Sequence, residues 1–229
     1  MNDNNTRSEK VKLALQDATD RLFDDPETVR KYQEYVTTTK QLLSDLQEAG
    51  CEYPNIFWIN NPKFPKNTKA IPVLIDHLQK EYSWNIKLIL MASLKMHKVD
   101  SVATNVVIQL LKSDPDQVHK WHYADYLSDT ADDKYFAEIM NLITDQSNGR
   151  SRERLLVALI RMKNHRQEVI KYTYSLIGEK GLTGHAIDAL RKMEVVGAIP
   201  IIEKYIDDKD YYIRQNVKKA IKYLLNKLN

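Results

Sequence analysis

His119, His122 and Asp125 follow one another at three-residue spacing, which on a helix turns three potential metal ligands toward one face. No fourth donor is identifiable, and the single cysteine, Cys51, excludes a thiolate-rich zinc site, so the two histidines read as surface or between-helix residues. His185 and Asp188, again three apart, have the types of an oriented general base. No Ser or Cys nucleophile falls beside them, and neither Gly-x-Gly-x-x-Gly nor Gly-x-x-x-x-Gly-Lys occurs to cradle a phosphate. What remains is recognition chemistry: one tryptophan, Trp121, among the cations Arg154, Arg161, Lys192 and Lys219. No catalytic residue, metal, cofactor or small-molecule substrate is expected.

The elements that must position these residues are announced by a repetition. Ala70-Ile71-Pro72-Val73-Leu74-Ile75 returns as Ala198-Ile199-Pro200-Ile201-Ile202-Glu203, 128 residues later, which is four steps of 32. That step lies in the period range of stacked helical repeats. From residue 68 onward five helix pairs can be laid out. First helices fall near 69–80, 101–112, 132–144, 165–178 and 197–207, and second helices near 84–97, 116–128, 150–162, 182–193 and 210–228. The apolar anchors Leu94, Tyr126, Leu159, Leu190 and Ile221 hold the register at intervals of 32, 33, 31 and 31. Asp114-Pro115 followed by Gln117 predicts an N-cap, a proline at the first helical position and a capping box, and Asn148-Gly149 predicts a break within the third pair.

Upstream, residues 7–23 read as one amphipathic helix. Asp25-Pro26 predicts the start of a second that stops before Gly50. The stretch Cys51–Asn67 holds Pro54, Pro62 and Pro65 among Tyr53, Ile56, Phe57, Trp58 and Phe64, too broken for a helix and too aromatic for a linker. Residues 1–67 are therefore expected to cap the exposed flank of the repeats at 68–229, the whole forming a right-handed α-solenoid.

Composition agrees with a helical protein, since 6 Gly and 7 Pro in 229 residues are too few for a turn-rich β fold. No apolar run approaches the roughly 20 residues of a membrane span, and no secretory leader pattern opens the chain, so a cytoplasmic protein is expected. The net charge of +3 is uneven. Residues 149–229 carry 17 Lys/Arg against 9 Asp/Glu, an excess of +8, which is either a solvated lysine-rich face or a surface for an anionic partner.

The last pair resembles a HEAT repeat. Pro200 matches the proline of the first helix, Asp208 and Asp210 the turn acids, Ile213-Arg214 the hydrophobe-arginine pair, and Ala220-Ile221 the small-large core pair. The resemblance implies that Asp208 and Arg214 are structural, forming hydrogen bonds that link neighbouring repeats. The Arg214 position is occupied elsewhere by Lys87, His119, Arg152 and Thr183, and only Arg152 keeps the chemistry. The chain is also similar to bacterial HEAT-repeat proteins of unsettled function through Ala70-Ile71-Pro72-Val73-Leu74, Gly149-Arg150-Ser151-Arg152 and Gly184-His185-Ala186-Ile187. DNA alkylation-repeat glycosylases share such a solenoid and a basic concave face, but their tryptophan, aspartate and arginine set is matched here only by Trp121 with Asp125.

In stacked pairs the second helices line the concave side. Stepping through the repeats gives three outward rows: Ile89, Trp121, Arg154, His185 and Asn216; Ala92, Ala124, Val157, Asp188 and Lys219; Met96, Ser128, Arg161, Lys192 and Tyr223. The expected function is a non-enzymatic protein-protein interaction scaffold, binding an acidic or mixed apolar/acidic protein segment through Trp121, Arg154, Arg161, His185, Lys192, Lys219 and Tyr223. An adaptor or immunity-type role is the specialisation the resemblance allows. The alternative is a nucleic-acid-binding solenoid, with phosphates on the basic end.

Overall fold

Asp25 and Pro26 open the first helix as their types require. The Asp25 carboxylate accepts the Thr28 N–H at 3.0 Å, and proline takes the first turn, where its missing N–H leaves no bond unmade. The computed structural model describes residues 25–61, 67–97 and 101–227, and the helix expected over 7–23 lies outside them. The described residues form twelve α-helices and six short 3-10 turns, with no strand among them. No described helix is long and apolar enough to cross a membrane. The chain divides into two units, Met1–Ser93 and Leu94–Asn229.

The first unit contains α1 (Pro26–Thr38), α2 (Lys40–Glu48), α3 (Ala70–Leu78) and the larger part of α4 (Trp84–His97). The single helix expected from Pro26 to Ala49 is broken at Thr39. That residue is buried, and its hydroxyl donates back to the Tyr35 carbonyl at 2.7 Å, a competing bond that lets the chain bend between α1 and α2. Leu42 and Leu46 of α2 are buried, as are Ala70, Leu74 and Leu78 of α3, and the two helices pack together. Each such fully buried leucine contributes roughly 1.5–3 kcal/mol. Across the same contact His77, fully buried, meets Asp45 Oδ2 through Nε2 at 2.8 Å and the Tyr82 hydroxyl through Nδ1 at 2.7 Å. The His77 hydrogen bond holds the Asp45 carboxyl below the usual carboxylate range, helped by Gln41. The described part of the proline-aromatic stretch packs, with Cys51, Ile56 and Ile59 all buried.

The second unit continues through α5 (Ser101–Ser113), α6 (Gln117–Thr130), α7 (Phe136–Thr144), α8 (Ser151–Leu159), α9 (Arg166–Ser175), α10 (Thr183–Lys192), α11 (Ile199–Ile202) and α12 (Tyr211–Leu225). Helices pack in consecutive pairs, α5 with α6, α7 with α8, α9 with α10 and α11 with α12, and the second helices also pack in series, α6 on α8, α8 on α10 and α10 on α12. Leu94, Tyr126, Leu159 and Leu190 are buried, but Ile221 is only half-buried, because the core face of α12 is carried by Val217, Ala220 and Leu224. The helix expected over 197–207 is instead a short α11 between two 3-10 turns, Val196–Ala198 and Glu203–Tyr205.

The start of α6 differs from the sequence expectation. Its N-cap is Asp116, whose carboxylate accepts the N–H groups of Val118 and His119 at 2.7 and 3.1 Å. Asp114, the expected cap, accepts from the Asp116 N–H at 2.9 Å and pairs with His119 Nδ1 at 3.0 Å. Two carboxylates thus share the work, and the helix begins two residues later than proline placement suggested.

Arg152 is the structural bolt of this unit. Nearly buried, it donates through Nε to the Ile143 carbonyl at the end of α7, at 2.6 Å, and grips Glu179 through both terminal nitrogens, ahead of α10. Arg214 works at shorter range, donating to the carbonyls of Asp208 and Lys209 at 2.7 and 2.9 Å, while the Asp208 carboxylate accepts the Asp210 N–H at 2.8 Å.

Candidate functional site

Trp121 stands in the second turn of α6, Glu153 in the first turn of α8, His185 in the first turn of α10 and Tyr212 in the first turn of α12. The series packing of these helices joins the four into one hydrogen-bonded chain. Trp121 Nε1–H donates to Glu153 Oε1 at 2.6 Å, His185 Nε2 meets Glu153 Oε2 at 3.0 Å, and the Tyr212 hydroxyl lies 3.3 Å from His185 Nδ1. Glu153 is buried, and a carboxylate taken from water costs several kcal/mol unless donors replace its hydration. The indole and the imidazole are those donors, and Arg150 adds a longer contact of 3.4 Å.

Burial pushes His185 below the ordinary histidine value, against the pull of the Glu153 and Asp188 carboxylates. The ring is therefore neutral at pH 7. Because the carboxylate can only accept, the ring proton sits on Nε2, and Nδ1 accepts the Tyr212 O–H. Burial also raises the Tyr212 phenol. The ring lies so close to α10 that a Cβ added at Gly184 would come within 2.7 Å of it.

The basic residues expected to meet a partner are mostly engaged inside the molecule. Arg154 is ion-paired with Asp125, donates to Ser128 Oγ at 3.1 Å and sits 5.6 Å from the centre of the Trp121 ring. Lys95 lies 3.4 Å from the same Asp125. Arg161 donates to the Ser128 carbonyl at 2.5 Å. Lys192 and Arg191 both pair with Asp188, and their hydrogen bonds hold that carboxyl below the usual range although burial alone would raise it. Tyr223 donates to Glu194 at 2.6 Å and lies under Arg191 and Lys227. Lys219 and Arg161 are exposed, and neither forms an ion pair among the described residues. Of the rows expected to face outward, Ala124, Ser128 and Asn216 are buried by neighbouring second helices.

Beside Trp121 a cleft of about 560 Å³ stays open, lined by Gln117, Val118, Trp121, Gly149 and Arg150. Val118 is 62% exposed and the Arg150 side chain 84% exposed. Gly149 has φ +50 and ψ −127, a conformation that suits only glycine, and it brings the chain past Gln117, whose amide donates to the Ser147 carbonyl at 3.1 Å. The His119, His122 and Asp125 triplet does not converge, since His119 turns to Asp114 and Asp125 to Arg154 and Lys95. Among the described residues no group of three or more His, Cys, Asp and Glu side chains is disposed to hold a metal.

No protein-family model matches the chain, and comparison with curated proteins and with solved structures finds no match. Glu153 and Tyr212 in the hydrogen-bonded chain, and Gln117, Val118, Gly149 and Arg150 in the cleft, are the site residues sequence reasoning missed. A strict 32-residue step from Trp121 lands on Glu153 and then on His185. The anchor register used 33 for that interval and landed one residue on, at Arg154.

Proposed function

We propose that this chain is a non-enzymatic protein-interaction scaffold, a right-handed α-solenoid of HEAT-like helix pairs whose second helices carry the binding surface. Support for the repeat comes from hydrogen bonds separated by about one period. In the first unit these are Asp45 with His77, 32 apart, and Asn60 with Ser93, 33 apart; in the second they are Trp121 with Glu153, 32 apart, and Ser128 with Arg161, 33 apart. The series packing of α6, α8, α10 and α12 supports it further.

The observation that carries the binding reading is the state of Trp121. Its N–H is spent on a buried carboxylate, its face is held by Arg154, and the ring still lines an open cleft beside an exposed valine. A tryptophan that served packing alone would bury both faces; one fixed at its polar edge with part of its ring lining a cleft is a rigid aromatic anchor of the kind interfaces use. Nucleic-acid binding draws less support, because two of the four groove cations that would track a phosphate backbone, Arg154 and Lys192, are paired with Asp125 and Asp188. The test is a displayed library of natural protein fragments, run beside single- and double-stranded oligonucleotides at low and physiological salt. Enrichment of fragments that compete for one site supports the scaffold; oligonucleotide binding that falls steeply with salt, with no fragment retained, overturns it.

A further inference from the structure

We infer that the cleft beside Trp121 is a peptide subsite that takes one bulky apolar side chain of a partner segment while Arg150 takes a carboxylate of the same segment. The inference rests on the scaffold reading and specifies its ligand. About 560 Å³ is far more than an ion or a water needs and falls within the range of sites that enclose a side chain with part of its backbone. Three of the five lining residues present carbon: the Trp121 ring, the Val118 isopropyl group and the bare backbone at Gly149.

Both apolar walls are stiff. Val118 is β-branched on a capped helix, and Trp121 is tied at its N–H, so little side-chain freedom is lost when a ligand settles. Arg150 is the one charged residue lining the cleft, and its guanidinium reaches Glu153 through a single 3.4 Å contact, leaving the remaining donors of the fork for a carboxylate. A run of phosphates fits poorly, because Asp114 and Asp116 precede Gln117 in the chain and Asp145 caps the turn before Gly149. A single carboxylate asks for only the one guanidinium of Arg150 rather than a row of cations. Charge complementarity at one point, beside an apolar slot, therefore selects a protein segment with a Trp, Phe, Leu, Ile or Met and an Asp or Glu within a few residues of it.

The experiment pans random linear dodecapeptides, displayed on phage, against the full chain and measures the resynthesised consensus peptide by fluorescence anisotropy. The expected consensus pairs a bulky apolar residue with an acidic one. Val118→Asp should weaken binding about tenfold or more, and Arg150→Glu should weaken it about tenfold while improving the affinity of the same peptide with its acid changed to lysine. Both positions are exposed, and circular dichroism of each variant confirms that the helices persist. Peptides that bind equally well to wild type and both variants overturn the subsite but leave the scaffold reading standing. If no peptide is enriched and an oligonucleotide binds instead, both fall. Sensitivity to Val118→Asp without charge-swap rescue at Arg150 overturns the carboxylate half of the inference.

Discussion

Glu153 stands 32 residues after Trp121 and accepts its indole N–H at 2.6 Å, with His185, a further 32 residues on, against the other oxygen. One buried carboxylate thus ties three consecutive second helices together. Glu153→Ala leaves an indole N–H and an imidazole N–H without their acceptor, a loss of about 2–4 kcal/mol. At roughly 2–4 °C per kcal/mol for a chain of this size, the apparent Tm should fall by about 4–16 °C. Glu153→Gln keeps one acceptor and should lose less. Thermal denaturation followed by tryptophan fluorescence reads both, and an unchanged Tm for Glu153→Ala would show that the carboxylate ties nothing.

Arg152 performs a comparable task with the opposite charge, joining the Ile143 carbonyl to Glu179. Arg152→Lys keeps the charge but cannot reach both partners with one ammonium, so it should cost about 1–3 kcal/mol. A double-mutant cycle of Arg152→Ala with Glu179→Ala by urea denaturation should give a coupling above about 0.5 kcal/mol. Additive losses would mean that the two side chains act independently.

Gly149→Ala places a Cβ at a φ of +50, 2.8 Å from the Gln117 amide oxygen. The Gln117 side chain can swing away, so the cost is mainly backbone strain, about 1–3 kcal/mol. The displaced amide has the cleft to move into, and consensus-peptide affinity should drop together with stability. Retained stability by chemical denaturation would show that the turn relaxes freely.

Stability should fall as pH drops below the ordinary histidine value of 6.5, because burial holds folded His185 below it. Between the two values the unfolded chain binds the proton and the folded chain does not, so acid draws the equilibrium toward unfolding; above 6.5 the contribution is constant. The groups facing the ring are Glu153, Asp188, Arg150, Arg154 and Tyr212. Asp188, Asp45 and Glu194 are held below the carboxylate range, so they add a separate loss at more acidic pH. Urea denaturation across the weakly acidic range, compared with His185→Gln, isolates the histidine. A slope that persists in His185→Gln belongs to another group.

The sequence made the all-helical character and the break at Asn148-Gly149 legible because each is written in local types: apolar spacing, a capping aspartate, a glycine. Leu94, Tyr126, Leu159 and Leu190 are buried where their register put them. The candidate site was half legible. Trp121 and His185 could be picked out by type and spacing, but whether Arg154 is free depends on a carboxylate brought near by folding, Asp125 from the previous second helix, whereas the Asp188–Lys192 pair is set by four-residue spacing on one helix. Glu153 was hidden because a buried glutamate has the same letter as a solvated one, and only its partners explain its place. The break at Thr39 and the shift of the α6 cap to Asp116 turn on competition between neighbouring polar groups, which pattern alone does not rank.

The chain of hydrogen bonds through His185 has a direction. Every proton in it points toward Glu153, so the hydroxyl of Tyr212 gives its hydrogen inward and leaves its oxygen as an acceptor, within reach of the Asn216 side chain. The outer end of the network can consequently take a hydrogen but has none left to give.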